Sequence, residues 1–317
     1  MNKQGIDQRL ENGEVLLLDG GTGSELQRRG VDISKRTSDG EMGAWSATAN
    51  IDAPDIVREI HRDFLQAGSD IITTNSFWSN RTRLDRIGHG DRMEEYTRIS
   101  VELAREAVDD IGSSAYIAGS IAPPVGRPKP GNNVRNSEDM YVEFRDQAGV
   151  LADAGADMIL LEYVSSTEET EVLTKAAIST GLPVLLGLKH FDGKGTLRSK
   201  ENVVSAVRCV SNLPVTAILD MCSPPEEITS VLPLLREEFD GPLGAYANIG
   251  YSQDPTARTD ETIQWHRIEI GDNIPDQYAK VTLDWIDKGA QIVGGCCAAT
   301  PDHISAIRSL ISSSSHH

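Results

Sequence analysis

Eight short apolar runs recur along the chain, each closed by a polar or glycine-rich exit and followed by a segment with helical spacing. They cover 15–18, 70–74, 116–121, 157–161, 183–189, 215–219, 243–247 and 291–294 and read as buried strands. Between them the spacing predicts helices over 53–67, 94–110, 138–154, 167–180, 201–211, 224–238, 275–288 and 300–310, with a shorter one at 24–29. Pro54, Pro224, Pro275 and Pro301 stand at predicted helix starts, where the missing N–H does no harm. Thr167 and the acids after it suit an N-terminal cap. Eight strand-then-helix units without a linker predict an α/β fold, a single (β/α)8 TIM barrel over residues 1–311. The segment 251–273 has no clear period and is long enough for a lid or an interface arm. Residues 312–317, four serines and two histidines, read as an expression-tag remnant.

With 317 residues, 39% hydrophobic and 25% charged, the composition is that of an ordinary soluble protein. No apolar run approaches the ~20 residues of a membrane span and no secretory pattern opens the chain, so a cytoplasmic location is expected. Four cysteines, two of them adjacent, fit a reducing compartment better than a disulfide framework. A net charge of -18 speaks against nucleic acid or a membrane surface as partner and mildly favours cationic ligands.

Candidate chemistry gathers at the strand ends. In a barrel of this kind active sites sit at the C-terminal ends of the strands. Asp19, Thr74, Asn75, Glu162, Cys222, Asn248, Cys296 and Cys297 are therefore expected to open onto one mouth. Cys296 and Cys297 follow Gly294-Gly295; adjacent cysteines do not readily pair with each other, but two thiolates can grip one soft cation. Cys222, closing Asp220-Met221-Cys222, would complete a three-sulfur site with an open position, the pattern of catalytic zinc. The plainer alternative is three small buried residues at strand ends. Three thiolates around Zn2+ sum to about -1, which suits holding a fourth thiolate for attack on carbon better than hydrolysis. Gly20-Gly21-Thr22-Gly23 lacks the residues of a P-loop and the spacing of a dinucleotide fingerprint, so phosphate binding is not expected there.

The segments Leu18-Asp19-Gly20-Gly21-Thr22-Gly23-Ser24-Glu25-Leu26, Ala67-Gly68-Ser69-Asp70-Ile71-Ile72-Thr73-Thr74-Asn75, Gly119-Ser120-Ile121-Ala122-Pro123 and Gly294-Gly295-Cys296-Cys297 resemble the successive motifs of the homocysteine S-methyltransferase family. The resemblance covers about residues 14–311. It implies a zinc-dependent barrel that moves a methyl group from a small cationic donor to homocysteine, giving methionine. It further implies Cys222, Cys296 and Cys297 as zinc ligands, with the homocysteine sulfur as the fourth. Asp19 and Glu162 then look like partners of the homocysteine ammonium, with backbone near Gly20, Gly21 and Thr74 around its carboxylate and Asn75 beside them. For Glu162 the alternative is a structural ion pair. Trp45 and Tyr163 fall where the betaine-using members place pocket aromatics, which favours a betaine-like quaternary ammonium or sulfonium over S-methylmethionine or S-adenosylmethionine; the alternative is that they merely pack beside the rim. Trp78 stands where those members carry a tyrosine. Met221 and Ala298 also depart from the family, which usually has Asn before its first cysteine and Gly or Arg after its last. Another thiol or selenol acceptor, or a zinc- or thiol-binding protein without turnover, are the competing readings. A homo-oligomer is compatible with all of them.

Overall fold

The eight apolar runs form strands in the structure, a computed structural model that describes residues 4–33, 43–124, 136–251, 269–270 and 274–314. In chain order these are β1 (Leu16–Leu17), β2 (Ile71–Thr73), β3 (Tyr116–Ile121), β4 (Met158–Val164), β5 (Val184–Leu188), β6 (Ala217–Met221) and β7 (Leu243–Ala247). A two-stranded antiparallel ribbon of β8 (Gly250–Tyr251) and β9 (Glu269–Ile270) follows, then β10 (Ala290–Gly295). The eight long-range strands pair in parallel in the order β1-β10-β7-β6-β5-β4-β3-β2. A parallel bridge between Leu18 and Ile71 joins the outer two and closes the (β/α)8 barrel. The ribbon flanks the segment read as a lid or arm; 252–268 and 271–273 lie outside the described residues.

Alternation along each strand explains why the runs are continuously apolar. Leu16, Leu18, Ile71, Ala118, Leu160, Leu219 and Ile292 fill the barrel interior. Their neighbours Leu17, Ile72, Ile117, Ile159, Leu161, Ile218 and Val293 pack outward beneath the helices. With both faces buried, no polar position interrupts the pattern. At the C-terminal ends the inward parity passes to Thr73, Ser120, Glu162, Met221 and Tyr246, so polar groups enter the top layer of the interior.

Some boundaries differ from the sequence reading. β4 runs to Val164 and β6 to Met221, beyond the predicted 161 and 219, because parallel pairing uses backbone groups and continues past the last apolar side chain. The helix Thr167–Ile178 is capped by Ser166, whose Oγ accepts from Glu169 N at 3.0 Å, and not by Thr167. An unpredicted helix, Ile6–Glu11, buries Ile6 and Leu10, and Leu10 O accepts from Gln291 Nε2 at 2.8 Å. The last helix, Pro301–Ser314, carries the fold into the serines read as a tag; 315–317 lie outside the described residues. Among the described residues no helix is long and apolar enough to cross a membrane.

The helix Pro54–Gln66 starts on its proline and buries Val57, Ile60, His61, Phe64 and Leu65 on one face. His61 is fully buried with neither ring nitrogen partnered, and desolvation holds its pKa down at about 4. Above its ordinary value of 6.5 both folded and unfolded chains keep it neutral. Between pH 6.5 and 4 only the unfolded chain takes up the proton, so stability falls across that window by up to about 3 kcal/mol. Urea unfolding at pH 7 and pH 4.5 should show a smaller loss in His61→Gln than in the parent; an equal loss would remove His61 from the account.

Candidate active site

The three predicted cysteines converge. Cys222 is the first residue past β6, and Cys296 and Cys297 directly follow β10. β7 lies between and ties both loops down: Cys222 N donates to Tyr246 O at 2.9 Å and Cys296 N to Ala247 O at 2.8 Å. Cys222 adopts a left-handed φ of 54° and Ala298 one of 65°, conformations costing about 1–3 kcal/mol each that turn the chain sharply back over the mouth. The glycines before the cysteine pair allow the same close fold: a Cβ on Gly295 would lie 2.1 Å from that of Ala299, and one on Gly294 2.7 Å from Leu18 Cβ. Cys222 Sγ lies 3.9 Å from Cys297 Sγ, Cys296 Sγ lies 4.0 Å from Cys297 Sγ, and all three fall within 4.8 Å of one another. Tetrahedral zinc with sulfur at about 2.3 Å sets sulfur atoms about 3.8 Å apart, so the spacing fits one such ion. Cys209, the fourth cysteine, is exposed at the end of the helix Val203–Cys209.

The sulfurs share charge unevenly. Hydrogen bonds from Cys296 and Cys297 pull the Cys222 thiol well below its ordinary range, against the cost of burial. The same contacts push Cys296 up, its bond to Cys222 contributing most, and Cys297 is likewise pushed up first by Cys222. One thiolate forms readily in the cluster; two more need a cation.

Two carboxyls stand beside the sulfurs. Asp19 accepts from Thr73 N at 2.7 Å and from Thr73 Oγ1 at 2.8 Å. Glu162 accepts from Ser120 Oγ, and Tyr246 OH lies 3.2 Å from both Glu162 Oε1 and Met221 Sδ. Desolvation dominates both acids, raising Asp19 to about 8 and Glu162 to about 7. Neither has a cationic side chain as partner in the ion pairs of the described residues, so Glu162 is not held in a structural ion pair. Two buried acids without counter-charge are chemically suited to receiving a small cation.

These groups line one cavity. Its wall includes Asp19, Gly20, Gly21, Trp45, Thr74, Asn75, Glu162, Tyr163 and the three cysteines. Trp45 and Tyr163 are again left-handed, at φ 50° and 60°. Tyr163 N donates to Met221 Sδ at 2.8 Å, so the thioether of Met221 serves as the polar acceptor that supports this turn. Gly23 makes room for the Trp45 ring, which a Cβ there would meet at 2.5 Å. Trp78 is not part of the wall: it is buried behind it, donating to Pro123 O at 3.1 Å, with the Arg83 guanidinium 3.6 Å over its ring. Phe77 takes the wall position, 5.7 Å from the Trp45 ring and 6.2 Å from that of Tyr163. Asn248 also stays off the wall, and its Oδ1 accepts from Gly250 N at 2.9 Å. The Asn75 amide is committed to Ser46 O and Asn50 Oδ1, and Gly21 N to Ala299 O at 3.0 Å, so both shape the site through the scaffold.

Comparison with known proteins bears on what such a cavity does. A model of the family described as homocysteine S-methyltransferase matches residues 16–311. The chain belongs to the homocysteine S-methyltransferase family. Homocysteine S-methyltransferase YbgG of Bacillus subtilis is 26% identical, over 95% of this chain and 96% of its own. A selenocysteine methyltransferase of Astragalus bisulcatus is 29% identical, over 95% of this chain and 94% of its own. In fold, the chain is similar to the metallated form of the homocysteine methyltransferase MmuM of Escherichia coli, with a TM-score of 0.77, 24% identity and coverage of 96% and 98%. The protein is thus a transferase of the family that methylates homocysteine.

Within this methyltransferase, sequence reasoning passed over Thr73, Ser120, Tyr246 and Phe77. The first three read as strand core. Their signal was parity: each is a polar side chain at an inward position near the C-terminal end of its strand. Phe77 was overshadowed by Trp78 next to it, and only the loop conformation decides which ring faces inward.

Proposed function

We propose that this family member transfers a methyl group from a betaine-like quaternary ammonium or sulfonium to the sulfur of homocysteine, at a zinc site formed by Cys222, Cys296 and Cys297. One observation carries the reading: a wall of aromatic rings and a three-sulfur cluster face the same cavity, with two buried carboxyls at its side. When bound, zinc supplies a position that holds the acceptor sulfur as a thiolate nucleophile at neutral pH. Asp19 and Glu162 take the acceptor's ammonium, and the turn from Gly20 to Ser24 with Thr74 lies toward its carboxylate. Trp45, Phe77 and Tyr163 offer ring faces to the donor's cation, each contributing about 0.5–2 kcal/mol without competing as nucleophiles. The new C–S bond forms as the donor's C–N or C–S bond breaks, and the bonding pair leaves with the neutral amine or sulfide. Charge is lost in that step, so a dry aromatic wall favours it over water.

Methionine formation from homocysteine, measured in parallel with betaine, S-methylmethionine, dimethylsulfoniopropionate and S-adenosylmethionine, tests the donor. Highest kcat/KM with betaine or the small propionate sulfonium is expected; a clear preference for S-adenosylmethionine would overturn the assignment. Phe77→Ala should raise the donor KM roughly 2- to 30-fold and leave the acceptor KM unchanged. A shift in the acceptor KM alone would place the ring on the wrong substrate.

The similarity to a selenocysteine methyltransferase supports a second reading, with a selenol as acceptor. Replacing homocysteine by selenocysteine or cysteine in the same assay separates the two.

A further inference from the structure

Lys189, one residue past β5, is buried at 7% exposure among groups that do not include a carboxylate partner. Its ammonium donates to His190 O and to Ser223 Oγ at 3.0 Å, and sits 4.6 Å from the centre of the Phe191 ring. All three are electron-rich groups suited to a cation, and none carries a full negative charge. The two acids nearby are turned to another residue: Asp220 lies 2.9 Å from His190 Nε2, and Glu227 4.0 Å from His190 Nδ1. A buried cation left this way needs negative charge from elsewhere. Ser223, which Lys189 holds, directly follows Cys222, and Ser223 O accepts from Asn248 N at 3.1 Å. Burial lowers the Lys189 pKa, and the Cys222 thiolate is the strongest of the charges that oppose this, ahead of Asp220 and Glu227.

We infer that Lys189 is the fixed counter-charge of the three-sulfur centre, a positioning residue that offsets the negative charge gathered there when a metal and a thiol acceptor are bound. The inference rests on the zinc reading proposed above. Three thiolates and Zn2+ carry about -1, and an acceptor thiolate brings the total to about -2. Methionine, a neutral thioether, adds no such charge. A cation held near the sulfurs therefore favours homocysteine over methionine, whereas a merely structural lysine would support both alike.

The test uses the full-length protein loaded with zinc. Zinc affinity is read by competition with a chromophoric chelator, and homocysteine and methionine affinities by calorimetry, in the parent, Lys189→Met and Lys189→Arg. Lys189→Met should weaken zinc binding by roughly 10- to 100-fold, the range of outer-sphere partners, and weaken homocysteine about tenfold more than methionine. Lys189→Arg should recover most of that difference. Should the Met variant fail to fold, Lys189→Gln repeats the measurement with a shorter neutral side chain. Unchanged zinc affinity, or equal losses for the two amino acids, would overturn the inference. A parent protein that retains no zinc would instead defeat the reading beneath it, a result visible before any variant is compared.

Discussion

Cys296→Ala is expected to yield a folded barrel that neither retains zinc nor forms methionine. Cys296 Sγ is one corner of a cluster whose atoms lie within 4.8 Å of one another, and removing it leaves two sulfurs where a catalytic site keeps three protein ligands. The loss of activity should exceed the roughly 10- to 100-fold typical of residues that only support a ligand. The fold should survive, because Cys296 is only partly buried at the mouth and the interior core lies beneath it. Metal analysis after dialysis, methionine assay and a thermal melt on one preparation give the three readouts. Full zinc occupancy in the variant would remove Cys296 from the ligand set whatever its activity.

Glu162→Gln should separate acceptor binding from metal binding. Glutamine keeps the size of the side chain and an oxygen for Ser120, but it removes the charge assigned to the acceptor's ammonium. Loss of one partner from a buried charged pair costs about 2–5 kcal/mol, so homocysteine affinity should fall about 30-fold or more while zinc stays bound. The pH response supplies an independent check, best measured with methionine so that no thiol titrates. In the empty site burial holds Glu162 at about 7 and Asp19 at about 8, and only the ionised forms attract an ammonium. Ionised Glu162 falls about tenfold from pH 8 to pH 6, so parent affinity should fall over that interval by about tenfold more than affinity in the variant, where Asp19 alone titrates. Stability moves the other way. A carboxyl raised by burial binds its proton more tightly in the folded chain, so its contribution is present below its unfolded value and is lost as pH rises through about 7. Ligand-free Glu162→Gln should thus melt higher than the parent at pH 8. An unchanged methionine affinity would place the ammonium elsewhere.

Much of the architecture was legible because local signals repeat. Leu243–Ala247 and Tyr116–Ile121 are bounded by the same residues in sequence and structure, since each is an apolar run between clear breaks. Pro54 and Pro275 mark helix starts by the same local logic. Glu162 and Cys222 were legible as strand-end groups but not in conformation: the end of an apolar run is not the end of a strand, and neither the left-handed φ of Cys222 nor the burial of Glu162 leaves a trace in neighbouring letters. Trp78 shows the limit. Two adjacent rings at a strand exit are equivalent in sequence, and the wall position goes to Phe77.

By itself, then, the order of residues determined the strand-and-helix alternation, the barrel and the list of strand-end groups, because hydrophobic period and turn chemistry act between near neighbours. Tertiary structure alone decided that sulfurs 74 positions apart in sequence, at Cys222 and Cys296, meet within 4.8 Å, and that β7 carries Tyr246 up to Glu162 between them. It also decided that Met221 supports the Tyr163 turn and that Lys189 lies buried without a carboxylate. The physical reason is barrel closure: strand stagger and inward parity set which side chains share the top layer, and both depend on partners that lie far away along the chain.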